Sequence, residues 1–165
     1  MNSLWKNVAE CLRAEVAEYG RLLHLMEEQR DLIFKRDPAA ILIANTSIQE
    51  QVDVLHECRR RREEVAAQLA QEHARPPNAT LRSLVPLIAP EGRPLLEALI
   101  SEVNRLVHRV RRIMRLNERL LATAVDCQQE LLRRLWPSAF TKTYAADGRV
   151  TVSTPRFAPS LQNAG

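Results

Sequence analysis

Residues Leu96 to Arg134 read LEALISEVNRLVHRVRRIMRLNERLLATAVDCQQELLRR, and apolar side chains recur through them at alternating steps of three and four. This seam consists of Leu96, Leu99, Val103, Leu106, Val110, Ile113, Asn117, Leu120, Ala124, Cys127, Leu131 and Arg134. A second line follows it at steps of seven: Ile100, Val107, Met114 and Leu121. A period of 3.5 residues is typical of a helix that packs lengthwise against other helices. Because the second line widens the apolar stripe, we expect this helix to contact more than one neighbour.

Two more long helices are predicted before this one. The first begins near Ser3, a suitable N-cap, and ends at about Arg36. Asp37-Pro38 then interrupts the pattern, and Asp at the N-cap followed by Pro in the first turn is a signal for a new helix. This second helix runs to about Glu72. A tight turn between two long helices predicts an antiparallel helical hairpin over residues 3–72.

The remaining chain divides into a linker, the third helix and a tail. Residues 73–94 are rich in proline and are predicted to be a linker with a short helix at 81–88. The third long helix covers 95–135, with its first turn near Arg93. Residues 137–165 are rich in small and polar residues and are predicted to be mostly disordered, with a turn between extended residues at 143–152. The fold class is therefore all-α, a coiled-coil-like bundle over residues 1–136 with a flexible C-terminal tail.

Charge is distributed unevenly along these 165 residues. The chain has a formal net charge of +4, but residues 1–72 carry more acidic than basic side chains, whereas residues 73–136 are strongly basic. Steps of three and four place five arginines on one side of the third helix: Arg105, Arg109, Arg112, Arg115 and Arg119. Such a strip keeps a helix face solvated, or it meets an acidic partner or nucleic acid. The absence of interleaved aromatic residues does not favour nucleic acid.

No catalytic or ligand-binding motif is present in the sequence. It contains no phosphate-binding glycine loop, no G-x-S-x-G and no H-E-x-x-H, so we predict neither an enzyme nor a cofactor or metal site. Cys11, Cys58 and Cys127 lack metal or redox spacing and are interpreted as buried, reduced thiols of a cytosolic protein. There is neither a signal-peptide pattern nor an apolar run of about 20 residues, so no membrane insertion is expected.

The order of these parts resembles the FlgN family of flagellar export chaperones. The resemblance rests on the N-terminal hairpin, the proline-containing linker, the segment Leu116-Asn117-Glu118-Arg119-Leu120-Leu121, the amphipathic run from Ala122 to Leu135, and Thr143, Tyr144 and Gly148 in the tail. It extends to about Val150. The arginine-rich third helix and the proline-rich segment 76–94 depart from the family pattern.

The resemblance implies a cytoplasmic chaperone of the flagellar type III secretion system. Such proteins bind hook-associated (hook–filament junction) proteins, prevent their premature assembly and deliver them to the export apparatus, without catalysis or a cofactor. The amphipathic terminal helices of these clients would bind the third helix as a helix in a groove. The expected client-binding residues are Leu106, Val110, Ile113, Met114, Asn117, Leu120 and Leu121, with Tyr144 closing over the client or contacting the export apparatus.

Two alternatives remain open at the level of sequence. Asn117 is either a polar residue that sets the register of the helices or a hydrogen-bonding group for a client. The whole chain is either an export chaperone or a coiled-coil scaffold that self-associates and buries its second apolar line in a dimer.

Overall fold

A computed structural model describes residues 4–135, 143–144 and 150–151 of the chain. Its elements are α1 (Leu4–Lys35), α2 (Pro38–Glu72), α3 (Leu81–Leu84), α4 (Arg93–Leu135), 3-10 turns at Val85–Leu87 and Pro90–Gly92, and strands β1 (Thr143–Tyr144) and β2 (Val150–Thr151). The all-α class is confirmed, and each long helix begins and ends within two residues of the predicted position. The chain divides into two compact units, Met1–Leu120 and Leu121–Gly165.

In the first unit, α1 and α2 form an antiparallel hairpin. The chain reverses at Arg36, whose φ of 56° lies in the left-handed region. The Asp37 side chain then accepts a hydrogen bond from the Ala40 N–H at 3.0 Å and caps α2. Farther along the pair, Gln51 donates to the Glu18 carboxylate at 2.7 Å. The predicted turn chemistry at Asp37-Pro38 therefore forms as expected.

Helix α4 runs parallel to α1 within this unit. Asn117 of α4 contacts Met26 of α1, and Arg109 of α4 pairs with Glu27 of α1, while Gly92 at the start of α4 lies against Trp5. Because low residue numbers in α1 meet low numbers in α4, both helices point the same way. The three long helices thus run up, down and up, and the linker only has to cross one end of the bundle.

The core lies between the three helices and includes the linker. Its largest fully buried apolar side chains are Val8, Leu12, Leu84 and Leu96. Leu84 belongs to α3, and Val85 and Ile88 beside it are also buried. Pro86 explains why the predicted helix 81–88 is only four residues long in α form and continues as a 3-10 turn, since proline cannot donate a hydrogen bond to the preceding turn. The linker therefore closes one end of the core.

The second unit contains the C-terminal part of α4 and the strand pair. Thr143 pairs with Thr151 and Tyr144 with Val150 in antiparallel register, in agreement with extended residues on both sides of the predicted turn. The predicted disorder of the tail concerns residues that mostly lie outside the described ones. Cys127 is exposed, so the prediction that it is buried is wrong: no side chain of α4 from residue 121 to residue 135 is buried. All three cysteines are free.

Candidate protein-binding surface of α4

The predicted client-binding residues fall into three burial groups. Leu106, Ile113 and Asn117 are buried, and Met114 is exposed. Val110, Leu120 and Leu121 are half-buried. For Tyr144 the structure describes the backbone, as a residue of β1.

The buried residues hold α4 in the bundle. Leu106 and Ile113 belong to the same apolar cluster as Leu22, Leu23 and Met26 of α1. Their faces are therefore already occupied in the free chain. Val110 packs against this cluster from its edge.

Asn117 is engaged with α1 through its side-chain amide. Its Nδ2 donates to the Met26 carbonyl oxygen at 2.8 Å and to the Gln29 Oε1 at 2.7 Å. Gln29 in turn donates to the Asn45 side chain of α2. A chain of amides thus crosses all three long helices, and the sequence could not reveal it because Gln29 and Asn45 are ordinary surface types. The Asn117 Oδ1 is buried without a hydrogen-bond partner among the described residues.

Apolar side chains remain exposed on α4. In the first unit Met114 and Leu116 are 42% and 43% exposed. In the second unit the exposed apolar residues are Val125, Leu131, Leu132 and Leu135. No described residue after Asn117 is buried. Of these exposed residues, Met114 and Leu131 lie on the two predicted apolar lines, whereas Leu116, Val125 and Leu132 lie off them.

Burial shifts the pKa of several titratable groups in the bundle. Burial raises the pKa of the Cys11 and Cys58 thiols, which keeps them protonated rather than nucleophilic. Burial likewise raises the pKa of Glu15, although Arg62 lies 2.7 Å away and acts in the opposite direction. Over residues 4–135 and the two short strands, no group of His, Cys, Asp and Glu could hold a metal ion. In that same part of the chain, no helix is both long and apolar enough to cross a lipid bilayer.

Fold and surface together define a class: over the described residues, an all-α bundle whose last long helix exposes apolar side chains. The family model described as FlgN protein matches residues 1–151. The chain belongs to the FlgN family and so to the chaperones of flagellar export. No curated protein and no solved structure matches it.

Proposed function

We propose that this chain acts in the cytoplasm and binds the amphipathic terminal helices of hook-associated proteins. Binding keeps these clients from assembling early, and the complex then delivers them to the export apparatus. The role requires neither catalysis nor a cofactor. Membership of the FlgN family supports the export role. The observation that supports helix binding is the exposure of apolar side chains along α4, from Met114 to Leu135.

The proposed client contact consists of the accessible residues of α4. Met114 is the anchor in the first unit, with the half-buried Val110 one turn before it on the same side of the helix. Leu120 is also half-buried and is a further candidate. In the second unit Leu121, Leu131 and Leu135 are the corresponding candidates. Leu106, Ile113 and Asn117 contribute by holding α4 in place, so their effect on binding is indirect. An amphipathic helix laid on such a surface would bury apolar area on both partners, at roughly 25 cal/mol per Å².

Tyr144 is proposed as a separate contact for the client or the export apparatus. It lies in β1 and pairs with Val150 of β2. A two-residue strand pair is marginal on its own, so a partner would add order to it.

Calorimetric titration with the C-terminal segments of hook-associated proteins tests this function. We expect saturable one-to-one binding that weakens at least about tenfold in Met114→Asp and in Leu121→Asp, because a charge would enter an apolar contact. Val54→Asp is the matched control, since Val54 on α2 is 45% exposed, close to the 42% of Met114. Circular dichroism of each variant verifies folding. If the folded wild-type chain binds no segment, the client proposal is wrong.

The alternative is a scaffold that uses the same apolar side chains to self-associate. Sedimentation equilibrium separates the two functions. A monomer that binds its client one-to-one supports the chaperone, whereas an obligate dimer that Leu131→Asp converts to monomer, without client binding in either form, supports the scaffold.

A further inference from the structure

A groove lined by arginine runs between α1 and α4 in the first unit. Its volume is about 480 Å³. One arginine comes from α1 and four come from α4: Arg30, Arg109, Arg112, Arg115 and Arg119. The sequence pattern placed the four α4 residues on one side of the helix, and the fold adds Arg30 from across the groove.

The arginines of the groove differ in how far they are neutralised. Arg109 pairs with the Glu27 carboxylate at 3.0 Å, and Arg30 lies 3.9 Å from Asp31. Arg112 and Arg115 are exposed, and among the described residues no carboxylate lies within ion-pairing distance of either. A spacing of three residues puts these two guanidinium groups on the same side of the helix. Each guanidinium group can donate two parallel hydrogen bonds to one carboxylate.

The floor of the groove is apolar. Leu116 is 43% exposed and lies beside the buried Ile113, one turn from Arg112. A ligand that matches the groove has an apolar side chain to contact this floor and carboxylates on either side of it to contact the arginines.

This groove lies apart from the proposed client contact. Residues 114 and 116 are two positions apart, which corresponds to about 200° around a helix. Leu116 therefore faces the groove while Met114 faces away from it. A partner in the groove and a client on Met114 would contact different sides of α4.

We propose that the groove binds an acidic peptide segment of a protein partner, with its carboxylates on Arg112 and Arg115 and an apolar side chain on Leu116. Protein is favoured over nucleic acid by the apolar floor of the groove, which can contact an apolar side chain of a peptide. Among the residues that line the groove there is no aromatic ring on which a base could stack. The inference goes beyond the proposed function, because it adds a second partner surface that operates whatever binds at Met114.

Fluorescence anisotropy of the full chain with a labelled synthetic peptide tests the proposal. The probe is a helix-forming peptide of alanine, leucine and glutamate of about 14 residues, about 21 Å long, with glutamates three and four positions apart around a line of leucines. We expect saturable binding that weakens about tenfold or more in the double variant Arg112→Glu/Arg115→Glu. Raising the NaCl concentration from about 0.05 M to about 0.3 M should weaken it too. A peptide with glutamine in place of glutamate should bind far more weakly.

The matched control is Arg61→Glu/Arg75→Glu, which changes the net charge equally at two exposed arginines outside the groove. This variant should bind the acidic peptide within about twofold of wild type once the salt concentration is raised to about 0.15 M. Equal loss in both double variants would mean general charge attraction and would overturn the proposal. So would wild-type binding of the glutamine peptide at full strength, the absence of any peptide binding, or preference for a labelled single-stranded oligonucleotide. Client binding measured in parallel on Arg112→Glu/Arg115→Glu separates this result from failure of the proposed function.

Discussion

The side-chain amide of Asn117 donates to the main-chain carbonyl oxygen of Met26 at 2.8 Å and so joins α4 to α1 within an apolar contact. Asn117 is only 3% exposed. If α4 shifted by one residue along α1, the Asn117 amide would lie among apolar side chains and would have no hydrogen-bond partner. Other registers of α4 against α1 are therefore disfavoured. The contact supports the register-setting interpretation of Asn117, and a role of this residue toward a client stays a prediction.

Two replacements of Asn117 distinguish the contribution of its hydrogen bonds to stability from the contribution of its packing. Asn117→Ala should lower the free energy of unfolding by about 2 kcal/mol, since two hydrogen bonds are lost and a cavity forms. Asn117→Leu should be as stable as wild type or more so, because it also removes the buried, unpartnered Oδ1. Urea unfolding followed by circular dichroism measures both. If Asn117→Leu were as destabilising as Asn117→Ala, the apolar packing of leucine would not compensate for the lost hydrogen bonds, and the prediction would be wrong.

Arg62 neutralises a buried carboxylate. Its Nε lies 2.7 Å from the Oε1 of Glu15, which is 1% exposed, although the N–H is not aligned on that oxygen as a hydrogen bond requires. Arg62→Met should lower stability by about 3 kcal/mol at neutral pH, because Glu15 would stay buried and unpaired. Chemical denaturation at pH 7 measures the loss. Arg60→Met is the control, since among the described residues Arg60 pairs with exposed carboxylates of α2 and its loss should leave stability nearly unchanged.

Glu15 should make stability depend on pH. Burial raises its pKa in the folded state, so the folded chain binds this proton more readily than the unfolded chain does. The stability associated with the protonated carboxyl is therefore fully present below its ordinary pKa of about 4.3 and is lost as the pH rises through the raised value. Relative to wild type, Glu15→Gln should thus gain stability from pH 4 to pH 8. Denaturant unfolding across this range measures the difference, and a constant difference would contradict the prediction.

The two helical-region glycines should respond oppositely to a methyl group. A Cβ on Gly92 would lie 2.9 Å from ring atoms of Trp5, whereas one on Gly20 would meet nothing within 4 Å. Gly92→Ala should therefore destabilise the chain by about 1–3 kcal/mol through overpacking. Gly20→Ala should stabilise it by about 1 kcal/mol, because alanine is the better residue within a helix. Thermal unfolding measures both, and Trp5→Leu in the Gly92→Ala background should recover part of the loss.

The Asp37 side chain that caps α2 should contribute about 1 kcal/mol to the free energy of unfolding. Asp37→Ala removes the acceptor for the Ala40 N–H and leaves that donor to water. Asp37→Asn retains an acceptor and should lose only a few tenths of a kcal/mol. Urea unfolding compares the two variants, and equal losses would show that the negative charge, rather than the hydrogen bond, stabilises this helix start.

Local physical chemistry alone determined the helices and the hairpin. Heptad spacing specified which side of each helix is apolar, and Asp37-Pro38 specified the turn, because both effects act over a few residues. The order of these parts also indicated the FlgN family. The tail pattern specified two extended segments, and in the structure Thr143 pairs with Thr151 and Tyr144 with Val150.

Only the tertiary structure decided how the apolar seam of α4 is used. Spacing treats Leu106, Met114 and Leu131 as equivalent members of apolar lines, yet the first is buried and the other two are exposed. A side chain of α4 is buried only where another element packs against that part of the helix. The periodicity of the sequence does not predict where along α4 such a neighbour lies. The same reason applies to the arginine groove: the sequence of α4 supplies a strip of arginines, and the packing of α4 beside α1 brings Arg30 to the other side of the groove.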